Sequence, residues 1–253
     1  MPEFLVFQLH GALASWGDIA VGEHRPSLGH PTKSALTGLL AAAIGIERED
    51  DKDHLRLNQD YCFAVCVREP GEVLRDYHTV QVPGGKRSYA IRRDELMFDK
   101  HNRNTILSQR DYRTDAWYQV AVACCADSPP YSLEALREKL LKPRFTLYLG
   151  RKSCPVSLPL FPQISTASSL KQAFDQYPLG LEEETAANWI DAPKSKRTKL
   201  HRYYWEAGFS EEALSGLEAT MRYPRRDQVH SRRRWQFSNR NEYYAAETIE
   251  EAS

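Results

Sequence analysis

The segment from Leu141 to Pro155 combines the residue types that hold single-stranded RNA. It reads LKPRFTLYLGRKSCP and contains the cations Lys142, Arg144, Arg151 and Lys152, the aromatics Phe145 and Tyr148, and Gly150. Lysine and arginine can neutralise phosphates, aromatic rings can stack on bases, and a glycine allows another backbone to approach closely. The segment therefore predicts a surface for a single-stranded RNA end. The same residues are also compatible with a strand and a turn that carry a solvated basic rim.

Two further segments are basic. Residues 222–237, RYPRRDQVHSRRRWQF, combine arginines with aromatic rings, and residues 86–113 are polar and basic. Because residues 86–113 can contribute little to a core, we interpret them as a hairpin or arm that projects from the body. The run from Arg232 to Arg234 can contact RNA, another subunit or only solvent, and the sequence leaves these alternatives open.

The sequence lacks the familiar enzyme motifs. The run from Gly29 to Ser34 ends like a phosphate-binding P-loop but lacks both glycines that the motif requires. His24, His30 and His78 lie near basic or glycine-rich segments. One hypothesis is therefore metal-free cleavage of RNA by a general acid and base. The other is that these are ordinary surface or RNA-contacting histidines.

The cysteine pattern argues against a disulfide framework and a metal site. The chain has five cysteines, an odd number without framework spacing, which predicts reduced thiols in the cytoplasm. Cys62 and Cys66 fall on one face of a predicted strand, where core thiols are expected. Cys124 and Cys125 are adjacent and point to opposite faces of a strand, so they cannot easily share a metal. No metal and no cofactor are expected.

Composition limits the class of protein. The 253 residues (29.1 kDa) suffice for one large domain or two small ones, and 42% are hydrophobic, which is enough for a buried core. A net charge of +0 argues against a polycation that coats nucleic acid but permits a local basic groove. The apolar start, residues 4–9, is too short for a signal peptide, and no run approaches the ~20 apolar residues of a membrane span. No membrane contact is expected.

The predicted elements follow a known order. Strands are predicted at residues 4–9, 61–67, 73–82, 116–126 and 145–149, and helices from Pro31 to Gly45 and from Ser132 to Pro143. The first helix is indicated by an apolar stripe at helical spacing that ends at a glycine, and the second by its serine cap. With the arm inserted, the order is close to a ferredoxin-like β-α-β-β-α-β unit, which places the chain in the α+β class.

Several motifs in a fixed order resemble one protein family. They are residues 11–17 (GALASWG), 25–26 (RP), 31–40 (PTKSALTGLL), 43–46 (AIGI), 75–80 (RDYHTV), 141–144 (LKPR) and 148–155 (YLGRKSCP). Together they cover most of residues 3–160, and the ordered set resembles the CRISPR-associated CasD family, the fifth Cas family, in its type I-E form. Beyond residue 160, only YPR at 223–225 and SRRRW at 231–235 are similar.

The resemblance implies both a fold and a function. The expected fold is a RAMP version of the ferredoxin-like (RRM-like) unit at residues 1–155, with the arm at about residues 83–115 as a β-hairpin thumb. A smaller region of loops and short strands is expected at residues 156–253. The implied function is a scaffold subunit of the Cascade surveillance complex. Such a subunit grips the 5′ handle of the CRISPR RNA, caps the backbone filament and meets the large PAM-reading subunit, so that target DNA is reached only through the complex.

The resemblance also assigns roles to individual residues. Tyr148 falls at the base-stacking aromatic of the family, and Arg110 falls at a basic thumb residue that touches the handle. Gly150, Arg151 and Lys152 fall on a turn that follows the RNA backbone. Lys152 stands where an arginine is common, which keeps the charge but loses bidentate phosphate geometry. The full set of predicted RNA-binding residues is Trp16, Arg25, Lys33, His78, Arg110, Arg144, Tyr148, Gly150, Arg151 and Lys152.

Some of these assignments have alternatives. The resemblance also implies that Trp16 and the residues from Arg25 to Ser34 contact the handle. For Trp16, a packing role is an equally good explanation. Tyr77 and His78 are expected at the base of the thumb, where they hold its hinge.

Three functions follow from these observations. The first is a non-catalytic RNA-binding scaffold that captures a single-stranded end by charge, stacking and shape. The second is a metal-independent endoribonuclease that cuts CRISPR repeat RNA, as relatives in type I-C systems do, with His24, His78, Lys33 or Tyr77 as acid and base. The type I-E resemblance weighs against it, because a separate subunit makes that cut there. The third is a structural adaptor whose basic patches meet proteins.

Overall fold

Strands dominate the part of the chain that the structure describes. The computed structural model describes residues 1–84, 88–97, 103–178 and 199–249. The strands are β1 (Glu3–Ala14), β2 (Trp16–Gly17), β3 (His24–Arg25), β4 (Ser27–Leu28), β5 (Tyr61–Glu69), β6 (Glu72–Pro83), β7 (Arg103–Cys124), β8 (Gln163–Thr166), β9 (Lys199–Glu206), β10 (Met221–Ser231) and β11 (Gln236–Ile249). The helices are α1 (Lys33–Ile44), α2 (Asp51–Asp60), α3 (Arg92–Met97), α4 (Leu133–Leu141) and α5 (Leu170–Gln176).

One large sheet organises these elements. Its main path runs β10-β11-β9-β5-β7-β1-β8, and neighbouring strands along it are antiparallel. β6 pairs antiparallel and β3 pairs parallel with the first half of β7, whereas β2 and β4 form a small separate sheet. Because β9 pairs with β5, the residues after 199 extend the same sheet. The fold is therefore mixed α/β and is dominated by an antiparallel sheet.

The first strand lies at the centre of this arrangement. Leu5 and Phe7 of β1 face a core that also contains α1 and α4, whereas Phe4 and Val6 face a second core with α5 and the aromatic residues of β9. A strand that is covered on both faces reads as a continuous apolar run, which explains the sequence FLVFQL.

The helix α1 forms as its sequence predicts. The side chain of Thr32 accepts a hydrogen bond from the amide of Ala35, and Gly45 ends the helix in a left-handed conformation with φ of 99°. Among the residues of its apolar stripe, Leu36 and Leu40 are almost completely buried. The helix α4 is confirmed in the same way, since Ser132 caps it.

A long hairpin projects from the sheet. β6 and the first half of β7 pair from Glu72 opposite Thr114 to Pro83 opposite Arg103, and α3 lies between the two strands in the chain. The sequence predicted a separate strand at residues 73–82 and an arm from about residue 83. In the structure, these residues are one strand of the arm itself, so the arm begins at Glu72. Residues 85–87 and 98–102, which fall within the predicted arm, lie outside the described residues.

The predicted strand at residues 145–149 is wrong. The amides of Arg144 and Phe145 donate to the carbonyl oxygens of Ala43 and Ala42 at the end of α1, so these groups are not available for a sheet. Residues 142–155 form turns with a single bridge between Tyr148 and Pro155. β8, further along the chain, takes the place beside β1 instead.

The cysteine prediction also needs correction. Cys62 of β5 pairs with Ala123 of β7, so Cys125, two residues further on, comes close to Cys62. The two cysteines form a disulfide with a Cα–Cα distance of 5.9 Å, whereas Cys66, Cys124 and Cys154 are free thiols.

The described part of the chain holds no group of three or more histidine, cysteine, aspartate or glutamate side chains suited to a metal ion. Within the same residues, none of the helices has the length and apolar character required to cross a membrane.

Candidate RNA-binding surface

The turn at residues 148–155 is anchored by a glycine. Gly150 has a φ of +86°, and a Cβ atom at this position would lie 1.9 Å from the carbonyl oxygen of Ser15. The amide of Ser15 in turn donates to the carbonyl oxygen of Leu149 at 3.0 Å. The close approach of another backbone, which the sequence predicts for Gly150, is thus made by the protein's own chain, and it fixes the position of the turn.

A cleft of about 270 Å³ opens beside this turn. It lies between α1, residues 146–150 and the turn that joins β10 to β11. Its lining residues include Thr32, Ser34, Gly38, Thr146, Tyr148, Arg232, Trp235 and Phe237. The side chain of Tyr148, which the sequence predicts as the base-stacking aromatic, is 38% exposed. Its ring can therefore meet a ligand in this cleft.

Three predicted arginines meet at the base of the arm. Arg25 of β3 is the direct strand partner of Arg110 of β7. Arg151 donates from Nη2 to the carbonyl oxygen of Arg25 at 3.3 Å, and its guanidinium lies 4.8 Å from the ring centre of Tyr112. These arginines come from three distant parts of the sequence, and the fold places them on one surface.

A buried carboxylate holds the base of the arm. Asp111 of β7 accepts a hydrogen bond from Nε of Arg75 at 2.9 Å, and Nε2 of His24 lies 2.9 Å from its second oxygen. The hydrogen bond from Arg75 lowers the pKa of Asp111 below its ordinary value despite burial. Since the three residues belong to β6, β7 and β3, the cluster joins the arm to the segment that carries Arg25.

Tyr77 and His78 were predicted at the base of the arm, but they lie near the middle of β6, since His78 is the strand partner of Ser108 whereas the base of the arm is at Glu72 and Thr114. His78 contacts Asp76, with Nε2 and Oδ2 2.5 Å apart. Asp76 is the strand partner of Arg110, so His78 and Arg110 share one face of the hairpin. Tyr77 points to the opposite face and is exposed.

Two predicted contact residues lie inside the protein. Lys33 is 5% exposed, and its Nζ lies 2.5 Å from Oε2 of Glu206. Burial lowers the pKa of Lys33 and raises the pKa of Glu206. Trp16 is buried and packs edge-on against Tyr118, with ring centroids 5.6 Å apart. Lys33 therefore forms a buried ion pair and Trp16 packs in the core, and neither presents the surface contact that the sequence predicted.

The Lys33 pair belongs to a larger buried network. Asp227 of β10 accepts from the backbone amide of Lys33 at 2.7 Å and from Nε of Arg240 at 2.7 Å. Glu242 of β11 accepts from Nη2 of Arg240 at 3.0 Å and lies 3.0 Å from Nε2 of His30. These contacts attach the β10–β11 hairpin to the first turn of α1. They therefore position the turn of that hairpin at the cleft.

Arg144 and Lys152 are both exposed. The side chain of Arg144 packs over the end of α1, since a Cβ atom on Gly45 would lie 2.7 Å from its Cγ. Lys152 extends from the turn that Gly150 anchors. Lys152 is therefore on the same turn as Tyr148, whereas Arg144 lies at the end of α1.

Trp235 and Phe237, which are not among the predicted RNA-binding residues, line the same cleft as Tyr148. Trp235 is 57% exposed and lies under two guanidinium groups, with the ring centre 4.7 Å from Cζ of Arg232 and 5.1 Å from Cζ of Arg48. The signal was present in residues 222–237, which were recognised as basic and aromatic. What was missing was their distance from Tyr148 in space.

Comparisons with known proteins identify relatives of the chain. The model of a family described as CRISPR-associated protein (Cas_Cas5) matches residues 4–241. Over 189 residues, the chain is 35% identical to the CRISPR system Cascade subunit CasD of Escherichia coli (strain K12). That match covers 71% of this chain and 80% of the relative.

Two solved structures have a similar fold. One belongs to a CRISPR RNA-guided surveillance complex, with a TM-score of 0.65 and 22% identity, and covers 98% of this chain and 91% of that chain. The other is the crystal structure of a Cas protein, with a TM-score of 0.55 and 24% identity, and covers 98% of this chain and 95% of that chain. At these identities, the likeness concerns the fold alone.

Proposed function

Because the chain belongs to the CRISPR-associated Cas5 family, we propose that it is a non-catalytic, RNA-binding subunit of a Cascade surveillance complex. In this role it grips the 5′ handle of the CRISPR RNA, caps one end of the backbone filament and contacts the large subunit, in the cytoplasm. Target DNA is reached only through the assembled complex. The relative that carries the name Cascade subunit supports this role.

One structural observation supports the proposal. Arg25, Arg110 and Arg151 lie together at the base of the arm, and Arg151 belongs to the same turn as Tyr148. None of these three arginines forms an ion pair with a carboxylate in the described ranges 1–84, 88–97, 103–178 and 199–249, so their charges are available to phosphates. An exposed aromatic ring beside such cations is the arrangement that holds single-stranded RNA.

We further infer that the central elements form the ferredoxin-like RAMP unit. Its four strands are β1, β5, β7 and β8, with α1 following β1 and α4 following β7. In the sheet they lie in the order β5-β7-β1-β8, each antiparallel to its neighbour. The arm formed by β6 and β7 is then the inserted thumb. It carries Arg110 at its base and reaches towards the handle–spacer junction, where it displaces a base.

The direct test uses purified protein and end-labelled CRISPR repeat RNA in EDTA, resolved on native and denaturing gels. We expect a shifted RNA that stays uncut, and a weaker shift with a scrambled RNA of the same length. If the protein neither shifts the repeat RNA nor copurifies with the backbone and large subunits of its complex, the proposal is wrong.

A second function has one specific observation in its favour. His24 pairs with the buried Asp111, and its side chain is 42% exposed beside Arg25. A histidine oriented by a carboxylate can act as a general base towards RNA. In contrast, Lys33 and His30 are buried and paired with Glu206 and Glu242. A single discrete cut in EDTA that His24→Ala abolishes would identify the protein as the repeat endoribonuclease instead.

A further inference from the structure

We propose that the cleft between α1 and the β10–β11 turn is a pocket for one unstacked nucleobase of the bound RNA, lined by Tyr148 on one element and Trp235 on another. This inference rests on the proposed function, because it concerns a contact to the same RNA. It extends that function to the C-terminal hairpin, for which the family motifs at residues 3–160 provide no role.

The backbone of Trp235 points to a function for its side chain. Its φ is +57°, in the left-handed region that a bulky residue adopts only at an energetic cost and that glycine or asparagine adopts readily. The cost is not offset by burial, because the side chain is 57% exposed. A contact between the exposed ring and a bound ligand would explain why the turn holds a tryptophan in this costly conformation.

The ring of Trp235 is held in place before any ligand arrives. The guanidinium of Arg232 lies over it at 4.7 Å, that of Arg48 lies at 5.1 Å, and Phe237 packs edge-on with ring centroids 5.5 Å apart. Arg232 also extends to α1, since a Cβ atom on Gly38 would lie 3.1 Å from its Nη2. Stacking on a ring that is already ordered costs little conformational entropy.

The positive charges around the pocket favour the binding of an anion. Arg48 and Arg232 are close enough that burial and the charge of Arg48 lower the pKa of Arg232. No carboxylate in the part of the chain that the structure describes forms an ion pair with either guanidinium. The phosphate next to a stacked base would neutralise this pair of like charges.

The polar lining and the size fit a single base. The hydroxyl groups of Thr32 and Ser34 lie 3.1 Å apart in the cleft and can bond to the edge of a base. The cleft volume of about 270 Å³ is close to the lower limit of small-ligand sites, roughly 300 Å³, and is too small for a duplex. The backbone amide of Lys33, the first residue of α1, already donates to Asp227. The pocket is therefore not an anion site at the N-terminus of that helix.

The experiment removes bases and the ring in combination. A set of handle RNAs, each with one abasic nucleotide, is titrated against the full-length wild-type protein and Trp235→Asn, a substitution compatible with the left-handed turn. We expect one abasic position to weaken wild-type binding on the order of tenfold, as lost stacking does. In Trp235→Asn, intact RNA should bind on the order of tenfold more weakly, and the same abasic position should have no further effect.

Two controls separate the possible outcomes. Gln236→Ala, at the exposed first residue of β11 next to Trp235, should bind like wild type, and thermal unfolding should show that Trp235→Asn is folded. If Tyr148→Ala weakens binding while Trp235→Asn and the abasic positions act independently, the pocket is wrong and the proposed function stands. If the wild type binds no handle RNA at all, the pocket is wrong, and the proposed function is wrong as well if the protein also fails to copurify with the other subunits of its complex.

Discussion

Lys33, behind the first turn of α1, differs in its partners from Arg151 and Lys152, on the turn that follows Tyr148, although the sequence predicted all three as RNA contacts. Lys33, behind the helix, is buried against Glu206, and Arg240 beside it is paired with Asp227 and Glu242. Arg151 and Lys152, at the surface, have no ion-pair partner among the residues that the structure describes. A cation inside a protein requires a carboxylate, because burying an unpaired charge is costly. Basic residues in motifs of one family can therefore have either of two roles, which only their surroundings distinguish.

The largest expected effect concerns the buried set. We expect Lys33→Met to lower the free energy of unfolding by about 3–5 kcal/mol, because it removes one partner of a buried pair. Lys152→Met is the matched control and should change stability by less than about 0.5 kcal/mol, because Lys152 is exposed. Urea denaturation of both variants measures the difference. Equal unfolding free energies for Lys33→Met and Lys152→Met would contradict the distinction between buried, paired cations and exposed, unpaired ones.

Acid should weaken the buried set as well. Although burial raises the pKa of Glu242, its bonds to His30 and the charge of Arg240 outweigh this effect and bring the pKa to about 2. A folded pKa below the unfolded value of about 4.3 stabilises the protein above that pH, by about 3 kcal/mol. This contribution is lost as the pH falls from about 4.5 towards 2. Unfolding free energies of the wild type and Glu242→Gln, measured across this range, should show the loss only in the wild type.

At the cleft, the aromatic ring should matter for binding and not for stability. We expect Tyr148→Ala to cost about 1–3 kcal/mol of affinity for the 5′ handle, because it removes base stacking. Phe145→Ala is the control, since Phe145 is equally exposed in the same segment but does not line the cleft. Equal losses in the two variants, measured by filter binding, would remove Tyr148 from the site.

The smallest expected effect is on the salt dependence. We expect Arg110→Ala and Arg151→Ala each to weaken RNA binding and to reduce the slope of log affinity against log salt by about 1. Arg222, exposed on β10 and outside the cleft, should leave the slope unchanged when it is replaced by alanine. An unchanged slope in Arg110→Ala or Arg151→Ala would mean that the side chain does not contact phosphate.

Where local signals were complete, the sequence predicted the structure. The apolar run of β1, the stripe and caps of α1, and the serine cap of α4 each contain their own reason to form. The glycine at position 150 was predicted to allow a close backbone approach, and the structure places the Ser15 carbonyl oxygen there.

Where the signal depended on distant partners, the sequence was insufficient. The apolar and aromatic run at residues 145–149 has the composition of a strand, but the amides of Arg144 and Phe145 donate to carbonyl oxygens at the end of α1. β8 is only four residues long and has no clear pattern, yet it completes the sheet beside β1. A short run cannot show which acceptors its amides will reach, because hydrogen bonds between elements depend on how those elements pack.

The sequence by itself determined the family motifs, the helices α1 and α4 and the segment that carries Tyr148, since each is encoded by neighbouring residues. Only the tertiary structure decided which basic residues face solvent and that Trp235 and Tyr148 line one cleft. The physical reason is that burial and pairing depend on distance in space. Lys33 meets Glu206 and Tyr148 shares a cleft with Trp235 only after the C-terminal strands have been added to the sheet.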